Sequence, residues 1–364
     1  MNKGSPNGAV HEAISTVDKL YQRVSLHLHQ ARKNVLRSID TELLITYWNI
    51  GREIIEEEQK GAERAEYGKS IIERLSKRLI KEFGKGFGTS TLADMRKFYV
   101  TYPKGLNIFH TVRGKSSLPS QAQLSWTHYR LLLRIPREEM RTFYEIEAIQ
   151  NAWSSRELER QINSLLFERL AKSKDKEGLL ALARKGQGIV RPEDAIKDPI
   201  ILEFLGLPES HLLVESDIEQ ALIHNLQHFL LELGKGFAFV ARQKRITIDG
   251  DHFYADLVFY HTILKCYVVA DIKVRKLSHA DLGQIQLYVN YFDQEVATEG
   301  DNPTIGLILC TQKNDAVVKY TLGEKNQQIF ASKYQFHLPT EQELEDELRR
   351  EVGLISQTTT PQDE

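Results

Sequence analysis

Cysteine is nearly absent from this chain of 364 residues: only Cys266 and Cys310 occur, both inside apolar strand-like runs. That scarcity argues against a disulfide framework and against zinc, and both thiols read as small core residues. Long apolar runs are missing too. No stretch approaches the roughly 18 residues of a membrane span, and the opening MNKGSPNGAV lacks the apolar centre of a signal peptide. A cytoplasmic protein with no membrane partner is the expectation. Repeats and low-complexity arrays are also lacking. With 41% apolar and 27% charged residues the chain is an ordinary globular protein, long enough for more than one core.

Charge is unevenly spread. Residues 1–200 hold 34 Lys+Arg against 25 Asp+Glu, and residues 201–364 hold 14 against 25. A basic half suits phosphates, and an acidic half can hold divalent cations near them.

From residue 11 to residue 171 the pattern is helical. Leu43, Leu44, Tyr47, Trp48, Ile50, Ile54 and Ile55 fall at three- and four-residue spacing, and KSIIERLSKRLIKEF repeats the pattern with its basic residues off the apolar stripe. GKGFG at 84–88 breaks it, and TSTLADMRKFYVTYP restarts it with Ser90 or Thr91 as N-cap. Helix, glycine turn and capped helix outline a helix-turn-helix-like all-α domain, in which Arg96 and Lys97 are candidate nucleic-acid contacts. Trp126 reads as a core anchor or, with His128 and Arg130, as a base-stacking or phosphate cluster, and Ser154 or Ser155 as the cap of a helix carrying Glu157. Residues 172–200, charged, glycine-containing and carrying Pro199 near their end, read as a linker with a short helix in it. A second domain over 201–352 then follows: SDIEQALIHNLQHFLLELG as a helix capped by Ser216 with Glu219 at N3, three β-rich runs, the helix SHADLGQIQLYVNYFD, the strand TIGLILCT and a final helix in TEQELEDELRREV. The order is an αβββαβ core.

Two acids stand out in FYADLVFYHTILKCYVVADIKVRK. On a strand, residues two apart share a face, so Asp271 and Lys273 project together. If the two runs pair antiparallel, Asp256 comes close to Asp271. Buried carboxylates need partners. A Mg²⁺ or Mn²⁺ ion supplies one and also binds phosphate oxygens, while a neighbouring lysine can orient water and offset charge on phosphorus. On the spacing alone an Asp–Lys ion pair at a strand end is the favoured reading.

The order of elements resembles the restriction-endonuclease-like core of the PD-(D/E)XK nucleases. More closely, LELGKGFAFVARQKRI, DHFYADLVFYHTILKCYVVADIK, GQIQLYVNYFD, LSWTHYRLLL and YWNIGREI resemble the YhcG family of that superfamily, over roughly residues 20–335. The resemblance implies a metal-dependent nuclease acting on nucleic acid, DNA first, with a homodimer as one assembly such an enzyme uses. It implies metal ligation by Glu219, Asp256 and Asp271, a catalytic Lys273, and Gln284 and Tyr288 as a Q-x-x-x-Y element beside the site. Asp271 stands where the family usually has glutamate, and Tyr67 precedes Gly68 where tryptophan is expected.

Glu219 at helix N3 also serves capping and the helix dipole without any metal. Arg242, Lys244 and Arg245, with Gln243 among them, form a basic cluster that reads as phosphate contacts or as a solvated strand end. His252, His261 and His279 read as exposed turn residues. The rival functions are a non-catalytic nucleic-acid-binding module with a degenerate nuclease fold and an assembly protein.

Overall fold

The computed structural model describes residues 7–60, 65–105, 123–171, 176–207, 213–313, 315–322 and 328–339. The segment TEQELEDELRREV and the side chain of Tyr67 lie outside the described residues. The chain divides into two units, Met1–Arg141 and Thr142–Glu364.

The first unit is helical: α1 (Asn7–Lys60), α2 (Ala65–Phe83), α3 (Thr89–Thr101) and α4 (Trp126–Leu132). The predicted stripe of α3 is its core face. Leu92 and Met95 are fully buried with Ile54, and the α1 and α2 stripe residues Tyr47, Ile50, Ile72, Leu75 and Leu79 pack against them. Gly51 permits this, because a Cβ there would collide with the Met95 carbonyl. Trp126 packs its ring on Phe98 and Tyr47, as a core anchor. The α3 cap differs from expectation: the helix starts at Thr89, and extended Gly88 is its N-cap in place of Ser90 or Thr91. α2 and α3 are joined by a short 3₁₀ turn, Lys85–Phe87.

Helix α5 (Glu138–Gln150) leads into the second unit, followed by α6 (Ser155–Asn163), α7 (Leu166–Ala171), α8 (Lys176–Lys185) and α9 (Pro192–Ala195). Ser154 and Glu157 form the expected capping box. Helices α8 and α9 lie in the stretch that reads as a linker, and the second unit begins at Thr142, ahead of that stretch.

A sheet in the order β1-β6-β5-β4-β3-β2 follows: β1 (Ile200–Ile201), β2 (Phe237–Ile248), β3 (Asp251–His261), β4 (Cys266–Lys276), β5 (Ile305–Gln312) and β6 (Ile329–Gln335). β2, β3 and β4 pair antiparallel, while β4, β5, β6 and β1 pair parallel. The first hairpin turns on Asp249 and Gly250, both at positive φ, as a two-residue loop twisting with its strands requires. Helices α10 (Glu215–His224) and α11 (Leu226–Leu233) cover one face of the sheet, and α12 (His279–Tyr291) and α13 (Asp315–Leu322) the other. The expected single helix over 216–233 is two, broken at Asn225. Its cap is also corrected: α10 starts at Glu215, and Asp217, not Glu219, accepts the first backbone donor, from Val214. Cys266 and Cys310 are buried thiols, as expected.

The charged groups binding α6 and α7 to α11 converge on one fully buried carboxylate. Arg169 donates to Glu232 Oε1 at 2.6 Å and Arg160 to Oε2 at 3.1 Å. Ile201 N–H adds a third bond at 3.0 Å, and Lys197 donates to the Glu232 carbonyl. Burial alone would raise the carboxyl pKa, but Arg169, Lys197 and Arg160 together hold it down at about 2. Burial pushes the Lys197 ammonium the other way, down to about 8, against the pull of Glu232.

A carboxyl depressed on folding stabilises the fold above its unfolded pKa, and the contribution fades as pH falls from 4.5 through about 2. Glu232→Gln should therefore lower the unfolding free energy at pH 7 by about 3 kcal/mol. Denaturant titrations at a series of pH values should show the gap between variant and wild type closing over that acid range.

Candidate active site

The ladder between β3 and β4 runs from His261/Cys266 to Leu257/Ala270 and ends there. At the next position the Asp256 carboxylate enters the ladder in place of a backbone carbonyl: its Oδ2 accepts the N–H of Ile272 at 2.8 Å. The strands part at that point, and the side chains on both sides of the gap are charged.

Asp271 is almost wholly buried, with 1% of its surface exposed. Its Oδ2 lies 2.8 Å from Lys273 Nζ, and apart from that ammonium it meets no donor among the described residues. Burial raises the Asp271 pKa; Lys273 opposes this, while Asp256 and Glu215 add to it, leaving the group at about 7. Burial would lower the lysine, but Asp271 beside it reverses the direction and keeps it charged. Lys273 also sits 3.7 Å from Glu215 Oε2, and its carbonyl accepts the Tyr334 hydroxyl at 3.3 Å.

Glu219 reaches this group through an intermediary. Gln243 Nε2 donates to Glu219 Oε2 at 2.6 Å and to Asp256 Oδ1 at 3.0 Å. Burial raises the Glu219 pKa, and the amide works against that rise. Gln243 is exposed and has a φ of 44°, a left-handed conformation unusual for a side-chain-bearing residue.

Gln284 and Tyr288, four apart on α12, make a pair as expected: Gln284 Nε2 donates to the tyrosine oxygen at 2.6 Å. Tyr288 donates in turn to the carbonyl of Tyr254, two residues before Asp256. Both therefore stand beside the acids without hydrogen-bonding to them. Arg242, Lys244 and Arg245 are exposed along β2; Arg245 also contacts His252. In the first unit Lys97 is exposed, while Arg96 donates to Glu58 at 2.7 Å. His261 corrects its expectation. It is fully buried, edge-on to Phe237, with its Nδ1 accepting the Leu264 N–H.

Two participants escaped the sequence reading. Glu215 precedes Glu219 by one helical turn, a spacing that places both on one face. Gln243 was findable by counting back from the Asp249-Gly250 turn. The register Ile248↔Asp251 continues to Lys244↔Ala255, so the next pair brings Gln243 opposite Asp256.

No three His, Cys, Asp or Glu side chains among the described residues are grouped closely enough to hold a metal ion. The donors nevertheless suit a hard divalent cation. Asp271 offers a buried carboxylate oxygen with one cationic neighbour, and its pKa is raised first by burial and then by the charges of Asp256 and Glu215. Among the described residues no helix is long and apolar enough to cross a membrane.

Comparison with known proteins gives the family. A family model described as the YhcG PDDEXK nuclease domain matches residues 193–349, and one described as the DUF1016 N-terminal domain matches residues 23–169. YhcG of Escherichia coli (strain K12), provisionally named a nuclease, is 37% identical over 362 residues, covering 93% of this chain and 96% of that protein. Among solved structures, a repair endonuclease from Pyrococcus abyssi overlaps 36% of this chain and 50% of its own at 16% identity and a TM-score of 0.25. EndoMS in its apo form overlaps 36% and 49% at 16% identity and a TM-score of 0.24. Those two overlaps are too slight to carry an argument. The sequence relationship spans nearly the whole chain and includes its sheet domain, and the chain belongs to the YhcG family of PDDEXK nucleases.

Proposed function

We propose that the protein is a divalent-cation-dependent nuclease that hydrolyses phosphodiester bonds, with DNA as its substrate. The observation that carries this reading is the buried Asp271–Lys273 pair beside a strand break filled by Asp256. Asp256 and Asp271 would hold Mg²⁺ or Mn²⁺, with Glu219 as the third acid. A bound ion would polarise a phosphoryl oxygen and lower the pKa of a coordinated water.

The protein's own groups supply the rest. Lys273 stays charged beside Asp271, where its Nζ can orient the attacking water and stabilise negative charge growing on phosphate oxygens. Arg242, Lys244 and Arg245, exposed on β2, offer donors to the flanking phosphates. Gln284 and Tyr288 brace β3 through the Tyr254 carbonyl, fixing the strand that carries Asp256. The helical first unit, with exposed Lys97, is assigned to nucleic-acid or partner binding.

The test is cleavage of linear, circular, branched and single-stranded DNA, and of RNA, with Mg²⁺, Mn²⁺ or EDTA. Asp271→Asn and Lys273→Ala should each cut at least about 100-fold more slowly while still binding the substrate. Binding without cutting under every metal condition would replace the enzyme with a nucleic-acid-binding module.

Two further outcomes are expected. Because Asp271 must lose its proton to take a cation, Mn²⁺ affinity measured by titration should fall by up to about tenfold per pH unit below pH about 7. Changing Lys244 and Arg245 together to alanine should weaken DNA binding and flatten its dependence on salt by about two phosphate contacts.

A further inference from the structure

Gln243 contacts both Glu219 and Asp256 with one nitrogen, and a primary amide nitrogen has two protons to give. Each proton goes to a different carboxylate. The two acids would otherwise face each other as like charges, and Asp256 does raise the pKa of Glu219. The amide does what a small cation would do there: it places positive hydrogen-bonding charge between two oxygens of opposite elements, one on α10 and one on β3.

The backbone beneath it is unusual. Gln243 has its φ at 44°, while the pairs on either side, Arg242↔Leu257 and Lys244↔Ala255, remain in register. A left-handed residue between two paired neighbours directs the side chain out of the alternation of its strand. The residue is exposed, so its side chain has water to move into.

We propose that Gln243 is a placeholder for the divalent cation: its amide holds Glu219 and Asp256 together in the metal-free protein and withdraws when the cation binds. This rests on the reading of these acids as metal ligands and adds to it a resting state. The amide N–H groups and a cation compete for Asp256 Oδ1 and Glu219 Oε2, so the site resists loading until the ion displaces the side chain.

The experiment is Mn²⁺ binding to the full-length protein, followed by electron paramagnetic resonance and by calorimetry, for wild type and Gln243→Gly. Glycine accepts a positive φ without strain, so this variant removes the side chain and keeps the turn of the strand; Gln243→Asn, too short to bridge, is the second variant. Circular dichroism melts in EDTA confirm that both fold. A placeholder predicts Mn²⁺ affinity about three- to tenfold tighter in both variants, from the loss of two competing hydrogen bonds. Unchanged or weaker affinity with wild-type binding intact overturns the placeholder and leaves the metal reading standing. Failure of all three proteins to bind Mn²⁺ overturns both.

Discussion

The candidate site depends on the bond from the Ile272 N–H to Asp256 Oδ2. A backbone donor in a sheet interior must find an acceptor, and at this rung the carboxylate supplies it in place of the neighbouring strand. That substitution ends the β3–β4 ladder, opens a gap, and fixes one acid at its rim. Asp271 and Lys273 then project from β4 on the other side of the gap, and α10 and β2 bring Glu219 and Gln243 to meet them. Each later arrangement presupposes that first exchange of a carbonyl for a side chain.

Electrostatics in the sheet domain is handled in two contrasting ways. At Glu232 two guanidiniums pair with one carboxylate, and a lysine on the same residue's backbone carbonyl adds its charge to theirs. At Asp271 one lysine serves a neighbourhood of three acids, and the carboxyl is left with a proton affinity near neutrality. Both groups are buried, so burial does not separate them; the count of positive neighbours does. The ion cluster at Glu232 is satisfied by the chain itself, whereas the group around Asp271 keeps a deficit of positive charge.

Much of this was legible in the sequence. The period-two placement of Asp271 and Lys273, the hairpin at Asp249-Gly250 and the apolar stripes of α1 to α3 follow from local rules, and the structure keeps them except at Leu43, which is exposed. What was not legible depends on tertiary choices. The break at Asn225 and the start of α10 at Glu215 shift the capping role from Glu219 to Asp217, because the helix is placed by its packing on the sheet and not by its strongest cap. His261 carries a polar label but is walled in by Gly236 and Phe237, a burial that no spacing in the sequence announces. Gln243 lay hidden among basic residues, whose charge drew attention away from its register.

The cluster around Glu232 bears on how the two family-matched segments can be inherited. Arg160 and Arg169 fall within the N-terminal match, residues 23–169, while Glu232 falls within the nuclease match, residues 193–349. A gene fusion or truncation that separated the two matches at their border would leave a wholly buried carboxylate without either guanidinium. Such a fragment would lose both guanidinium pairs that hold the carboxylate in place. The helices before the border are thus part of the sheet domain's inheritance, and evolution can exchange the helical first unit of this protein only upstream of them.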